Sequence, residues 1–320
     1  MTSISVCIVT FNRKLELIRC LDRVLDQSCQ ITNVIIYDNA SIDGTSEALI
    51  DKFKCQKSTK VGMQKLGKVR AATIWLVCSS KNIGGAGGFH EAVKQSRENF
   101  NTDYYWLMDD DGYPEKDCLK KLLTYANRHH LEYIMPVSID IENHQKLSWK
   151  TRKKNGQKTE LYKELKASWG AVMNYITPFN GSLLTRSCVD KVGYVNKDFF
   201  IWGDEYEHYW RCREAGIKPI TLTSAIFYHP ALKLPLVPIF RGVFKVPYTD
   251  SKLRMVCLVR NHTYIYKKYD FKLKIIVKLF MYSWFYLVTR KLDFKGYKLY
   301  LSCVFDGLKE DFSRHLRYLK

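Results

Sequence analysis

Tyr104-Tyr105-Trp106-Leu107-Met108-Asp109-Asp110-Asp111-Gly112 is the stretch that decides the fold. An unbroken apolar run stops at three carboxylates and a glycine. That is how a strand buried on both faces delivers charge to its C-terminal end. Working outward, residues 4–10 (ISVCIVT), 33–37 (NVIIY) and 73–77 (TIWLV) read the same way. Helical spacing of apolar residues separates them over residues 14–27, 46–53 and about 89–100, the last opened by a glycine-rich turn at residues 84–88. Strands alternating with helices predict an α/β fold with a Rossmann-like, mainly parallel central sheet flanked by helices. In such sheets ligands gather at the carboxyl ends of the strands. Residues 10–13, 38–39, 82–88 and 109–111 all fall there.

Further along, residues 145–168 (QKLSWKTRKKNGQKTELYKELKAS) are polar and basic and read as an exposed loop or flap. Residues 170–184 and 220–228 read as strands. A helix over residues 205–215 between them ends at Gly216, as a C-terminal cap would. From residue 232 the character changes to prolines at 235, 238 and 247 followed by long basic-aromatic helical stretches. The expected division is a catalytic domain over residues 1–230 and a mostly helical extension over residues 231–320.

The formal net charge is +19 over 320 residues, and its placement matters more than its size. Residues 1–144 carry 18 basic and 18 acidic side chains, and residues 169–230 carry 6 of each. The surplus comes from residues 145–168, with 8 against 2, and from residues 231–320, with 19 against 6. The last ninety residues also hold 18 of the 44 aromatics. A basic excess raises the possibility of nucleic-acid binding. Against that partner, the excess lies away from the ligand-gathering strand ends and no nucleic-acid motif is present, so none is expected. Disorder, collagen and coiled coil are excluded by 46% hydrophobic residues. Ten cysteines without paired spacing, and an N-terminus without a basic leader and long apolar stretch, predict a reducing, cytosolic setting.

Asp109, Asp110 and Asp111 in one turn repel each other unless something positive holds them, and a hard divalent cation suits such oxygen ligands. A solvated acidic loop is the plainer alternative. The position at a parallel strand's end favours the metal. The turn Asn82-Ile83-Gly84-Gly85-Ala86-Gly87-Gly88 lets backbone approach a ligand, although a glycine cluster alone is more often a tight connection. Asp204, Glu205 and Glu207 open a helix, where acids are favoured by capping and by the helix dipole. An Asp there beside Trp202 is also a plausible general base. His229, alone before Pro230, is by itself more often structural than a ligand.

Taken together, TFNR at residues 10–13, DNASIDGT at 38–45, NIGGAGGF at 82–89, WLMDDD at 106–111, FNGSLLTR at 179–186 and FFIWGDEYE at 199–207 resemble the family 2 glycosyltransferases. The set is most similar to the bacterial galactofuranosyltransferase and rhamnosyltransferase-like branch, and Arg260-Asn261 is similar to a pair further downstream. The resemblance covers about residues 3–230. It implies a GT-A fold, a nucleotide-sugar donor, and inversion at the anomeric carbon. UDP-galactofuranose is favoured over dTDP-rhamnose by NIGGAGGF and WLMDDD. Thr10, Phe11 and Arg13 would border the nucleotide, and Asp38 would bond the uracil. Asn82, Gly84, Gly85, Gly87, Gly88 and Asp110 would line the sugar-phosphate region. Asp109 and Asp111 would hold Mn2+ or Mg2+, with His229 completing the coordination, which reverses the structural reading of that histidine. Asp204 matches the catalytic base, with Trp202 and Glu205 on the acceptor side. Galactofuranosyl members carry WDD where this chain has Trp202-Gly203-Asp204. A sugar-binding scaffold without activity is the reading that this departure keeps open.

Residues 275–289 are apolar but for Lys278, short of the about 20 residues that span a bilayer. Lysines interleaved with tyrosine, tryptophan and phenylalanine suit a helix lying among anionic headgroups, with the cations snorkelling to phosphate. A core-facing amphipathic helix with a solvated basic face is the alternative. The expected setting is therefore peripheral, on the cytoplasmic face of the membrane, with a lipid-linked glycan as acceptor.

Overall fold

The computed structural model describes residues 2–56, 62–174, 179–231 and 234–319. Its contacts group into two units, residues 1–197 with 208–232, and residues 198–207 with 233–320. The short segment carrying Asp204 thus groups with the helical C-terminal residues.

In the first unit the chain runs β1 (Ile4–Thr10), α1 (Lys14–Leu25), β2 (Asn33–Asp38), α2 (Thr45–Phe53), β3 (Met63–Val69), β4 (Ala72–Cys78), α3 (Gly84–Asn99), β5 (Tyr104–Asp109), β6 (Tyr113–Pro114) and α4 (Cys118–His129). It continues with β7 (Tyr133–Asp140), β8 (Lys146–Arg152), β9 (Lys158–Leu161), α5 (Tyr162–Trp169), β10 (Val172–Met173), β11 (Ser182–Thr185) and α6 (Arg186–Val192). After α7 (Asp204–Glu214), whose last turns belong here, β12 (Ile220–His229) completes the sheet. The strand order is β10-β12-β7-β11-β5-β1-β2-β4-β3. The pairs β5–β1, β1–β2, β2–β4 and β12–β7 are parallel, whereas β11 runs antiparallel to both of its neighbours.

Every residue of β1 and β2 is buried, because helices cover both faces. Leu17, Cys20, Leu21 and Val24 form the inward stripe of α1, and Cys118, Leu119, Leu122 and Ala126 that of α4. Each large apolar side chain so buried contributes about 1.5–3 kcal/mol. The glycine-rich turn is not a loop: residues 84–88 are the first turns of α3. A side chain at position 88 would bring its Cβ within 2.5 Å of Val9 Cγ1, so Gly88 lets α3 lie close against β1.

Several expectations are corrected. Residues 145–168 fold as the β8–β9 hairpin and α5, with Leu147, Thr151, Thr159 and Leu165 turned inward. The expected strand over residues 170–184 is two separate strands, β10 and β11, with residues 175–178 between them outside the described residues.

In the second unit a two-stranded ribbon, β13 (Leu236–Ile239) with β14 (Phe244–Pro247), precedes α8 (Lys252–Lys268), α9 (Lys272–Trp284) and α10 (Phe294–Lys309). A turn of π-helix, Phe285–Thr289, extends α9. Val256, Val259, Tyr282, Phe285, Tyr286, Tyr300 and Cys303 build this unit's own core.

Candidate active site

Parallel pairing aligns the ends of β1, β2 and β5, with Thr10 opposite Asp38 and Val9 opposite Asp109. The acidic turn follows directly. The two-residue strand β6 then pairs with the end of β12, Tyr113 opposite Tyr228, and this carries His229 back to the aspartates. Gly112 permits the return: a Cβ there would sit 2.3 Å from the Phe227 ring and 2.8 Å from the Tyr228 carbonyl oxygen.

Asp109, Asp111 and His229 each offer a ligand atom within 4.8 Å of the others. His229 Nδ1 lies 2.7 Å from the Pro230 carbonyl, which can only accept, so Nδ1 carries the proton. The Nε2 lone pair then faces Asp111 Oδ1 at 3.2 Å, and that oxygen, though buried, accepts no hydrogen bond. Two acceptors at this distance call for a cation or a proton between them. Burial opposes charge on His229, but Asp111 and Asp109 raise its pKa above the ordinary value. Burial likewise opposes a charged Asp111, while His229 and Arg13 hold its pKa below the usual range. An orphaned carboxylate oxygen beside an imidazole fits a divalent cation.

Asp110 points elsewhere. It is buried, accepts from Thr10 Oγ1 at 2.7 Å and from Arg13 at 3.0 Å, and does not belong to the cluster. Burial pushes its carboxyl up to about 6 even though Arg13 and Thr10 draw it down. Arg13 also reaches Asp111 Oδ2 at 2.7 Å. Burial works against the guanidinium's charge, but the aspartates hold its pKa above the ordinary value. Thr10 and Asp110 therefore lock the acidic turn onto β1, while Phe11 next to them is exposed.

Asp38 is committed locally, accepting from the Ser41 amide at 2.9 Å and from the Ser46 hydroxyl. Its neighbour Asn39 clamps the start of α3: Nδ2 donates to the Gly84 carbonyl at 2.9 Å and Oδ1 accepts from the Ile83 amide at 2.8 Å. Asn82 accepts from the Gly84 amide at 2.8 Å. Gly84, Gly85, Gly87 and Gly88 so open a helix whose first turn holds no acidic residue. The sequence places Asn39 at a strand end with Asp38 but gives no sign of this clamping role. Sequence reasoning missed Trp149, which stands edge-on to His229 with ring centroids 5.7 Å apart, while Ser148 donates to the His229 carbonyl.

Trp202, Asp204 and Glu205 belong to the second unit. Phe200, Trp202 and Gly203 all have positive φ, at 66°, 63° and 92°. For the two aromatic residues that is a strained backbone. Asn261 Nδ2 holds the carbonyls of Phe199, Ile201 and Trp202, and Arg260 donates to the Phe199 carbonyl at 3.0 Å. At Gly203, where this chain has WGD, the positive φ is one that glycine adopts without strain. Asp204 is buried at the first position of α7. Burial raises the Glu205 carboxyl above its usual range, with the hydrogen-bonded Asp204 opposing. Glu207 pairs with Lys268 at 3.1 Å and Tyr269 at 3.0 Å, as part of this unit's packing.

The acidic turn and the histidine converge at the strand ends of a mainly parallel α/β sheet, where enzymes of this architecture hold their ligands. The chain belongs to the glycosyl transferase family 2, which matches residues 5–192, and it is a glycosyltransferase with the GT-A fold. It is similar to the galactofuranosyltransferase GlfT1 of Mycolicibacterium smegmatis, 27% identical over 312 residues that make up 96% of this chain and 97% of the relative. Among solved structures it resembles GalNAc-T7 with UDP, GalNAc and Mn2+, at TM-score 0.55, 12% identity and 83% of this chain. It also resembles S. aureus TarS in complex with UDP-GlcNAc, at TM-score 0.50, 11% identity and 81% of this chain. The chain spans 47% and 65% of those two chains. At such identities the likeness concerns the fold.

Proposed function

We propose that this glycosyltransferase takes galactofuranose from UDP-galactofuranose and transfers it, with inversion, to a lipid-linked glycan acceptor in bacterial surface polysaccharide synthesis. The observation carrying the donor is the similarity to a galactofuranosyltransferase along 96% of the chain. Asp109, Asp111 and His229 would hold Mn2+ or Mg2+, and such a cation supplies charge neutralisation at a departing diphosphate without a proton donor. Arg13, kept charged by the aspartates, orients Asp111. Asp204 takes the proton of the acceptor hydroxyl, with Glu205, whose carboxyl burial raises above its usual range, hydrogen-bonded beside it. A single displacement needs one such base.

The setting that goes with this reading is the cytoplasmic face of a membrane, held peripherally. Among the described residues no helix is long and apolar enough to cross one. Leu273, Ile276, Val277 and Phe280 of α9 and Phe294 and Phe305 of α10 are exposed, and Lys272, Lys274, Lys295 and Lys298 stand among them. Apolar side chains with interspersed lysines suit an anionic bilayer surface.

The test is a donor panel offered to the purified chain with Mn2+. Turnover of UDP-galactofuranose above dTDP-rhamnose and UDP-GlcNAc is expected. Preference for dTDP-rhamnose would sink the donor assignment.

A further inference from the structure

Lys278 stands on the inward side of α9, in helical register with Ile275 and Tyr282, and makes no ion pair among the described residues, unlike Lys272, which pairs with Asp270. It looks into a half-open cleft of about 90 Å3 within the helical unit, lined by Leu258, Val259, Ile275, Tyr282, Tyr300 and Val304. Pro247, His262, Thr263 and Tyr266 complete the lining, and none of the lining residues is acidic. Burial lowers the pKa of Lys278, so the protein bears a desolvation cost here without a counter-charge. His262 Nδ1 donates to the Leu258 carbonyl at 2.8 Å, which turns Nε2 away from that bond. Lys274 and Lys278 both act on His262 electrostatically, so the local field is positive.

A half-buried lysine with no ion pair, at the side of an apolar cleft, is a mismatch that a ligand of two parts would resolve. An aliphatic chain would cover the valine, leucine and isoleucine side chains, each methylene contributing about 0.8 kcal/mol. An anionic head would neutralise the lysine. We propose that this cleft binds the hydrocarbon chain of a lipid phosphate, with Lys278 meeting the phosphate. The outer side of the same helix is apolar and exposed at Leu273, Ile276, Val277 and Phe280, which suits access from a lipid environment. The site deepens the proposed function, on which it rests only for its role in turnover: the ligand is the lipid end of the acceptor.

Binding is measured by calorimetry on the full chain without vesicles, using dodecyl phosphate below its aggregation concentration, dodecanol and inorganic phosphate. Saturable 1:1 binding of dodecyl phosphate is expected, with dodecanol about tenfold weaker and inorganic phosphate silent. Lys278→Met should lower dodecyl phosphate affinity about tenfold, to the level of dodecanol, without lowering the melting temperature, whereas Lys278→Arg retains it. Val259→Trp should fill the cleft and abolish binding of both amphiphiles. Absence of saturable binding, or binding that survives both Lys278→Met and Val259→Trp, would overturn the site. Hydrolysis of UDP-galactofuranose by the same preparations separates this outcome from the fate of the donor assignment.

Discussion

The side-chain amide of Asn261 donates to the carbonyl oxygen of Trp202 across 2.7 Å, and the same nitrogen lies 3.0 Å from the carbonyls of Phe199 and Ile201. Three acceptors converge on one amide just ahead of Asp204. Asn261→Ala removes this shared donor, leaving Arg260 on the Phe199 carbonyl alone, which costs about 1–3 kcal/mol and releases a backbone strained at Phe200 and Trp202. The variant should melt lower, keep UDP binding and lose at least about tenfold in transfer. Transfer at the native rate would show that this clamp does not set the base.

The two neighbouring carboxyls separate by substitution. Asp204→Asn should abolish transfer while leaving donor binding intact, whereas Glu205→Gln, which keeps a hydrogen-bonding side chain beside Asp204, should retain most of the rate. Loss with Glu205→Gln and survival with Asp204→Asn would exchange their roles.

Metal binding has a readout apart from turnover. Mn2+ at 100 times its dissociation constant should stabilise the native chain by about 2.7 kcal/mol, visible as a raised melting temperature. EDTA should reverse the shift and stop turnover. Asp111→Asn and His229→Ala should each remove the Mn2+ shift, since each takes away one of three grouped ligands. An undiminished shift in both variants would place the ion elsewhere.

Gly112→Ala tests the return of β12 to the acidic turn. Its methyl meets the Phe227 ring and a backbone carbonyl, so about 1–3 kcal/mol of stability should be lost through overpacking. Because His229 follows Phe227 by two residues, the Mn2+ shift should shrink along with the melting temperature.

His315 gives a pH signature. Arg260 donates to its Nδ1 at 3.0 Å, and burial together with Arg260 lowers its pKa from 6.5 to about 4. Between those values the unfolded chain binds a proton that the folded chain does not, so stability is complete above pH 6.5 and falls toward pH 4. The groups opposing this are the Phe312 carbonyl and Asp198. His315→Asn, which keeps an acceptor without titrating, should flatten the melting-temperature profile in that window. An unchanged slope would assign the acid sensitivity to other groups.

The strands that deliver the site were legible because both their faces are buried. β1, β2 and β5 read as continuous apolar runs with charge at the end. β7 (YIMPVSID) is masked in the sequence by Pro136, which interrupts its run, and β3 (MQKLGKV) by Gln64, Lys65 and Lys68 on a sheet edge. The β8–β9 hairpin was hidden by composition: lysines on its outer face gave it the look of a loop. The convergence of Asp109, Asp111 and His229 depends on a two-residue pairing at β6, too short to have a period. Arg260 and Asn261 were noticed as a pair, but what they hold lies 59–62 positions earlier, beyond the reach of any local pattern.

That separation also bears on when the acceptor-side loop acquires its shape. Closing a loop of some sixty residues is entropically unfavourable until the partners on both sides are themselves ordered. During synthesis the strands, the acidic turn and the glycine-led helix have all emerged well before Asn261. The stretch from Phe199 to Gly203 has no reason to hold its left-handed turns until the helix Lys252–Lys268 arrives. The chain can thus assemble its strand ends, with Asp109 and Asp111, before the turns ahead of Asp204 take shape, so that an incomplete molecule carries the proposed means to hold a nucleotide sugar before the proposed means to spend it.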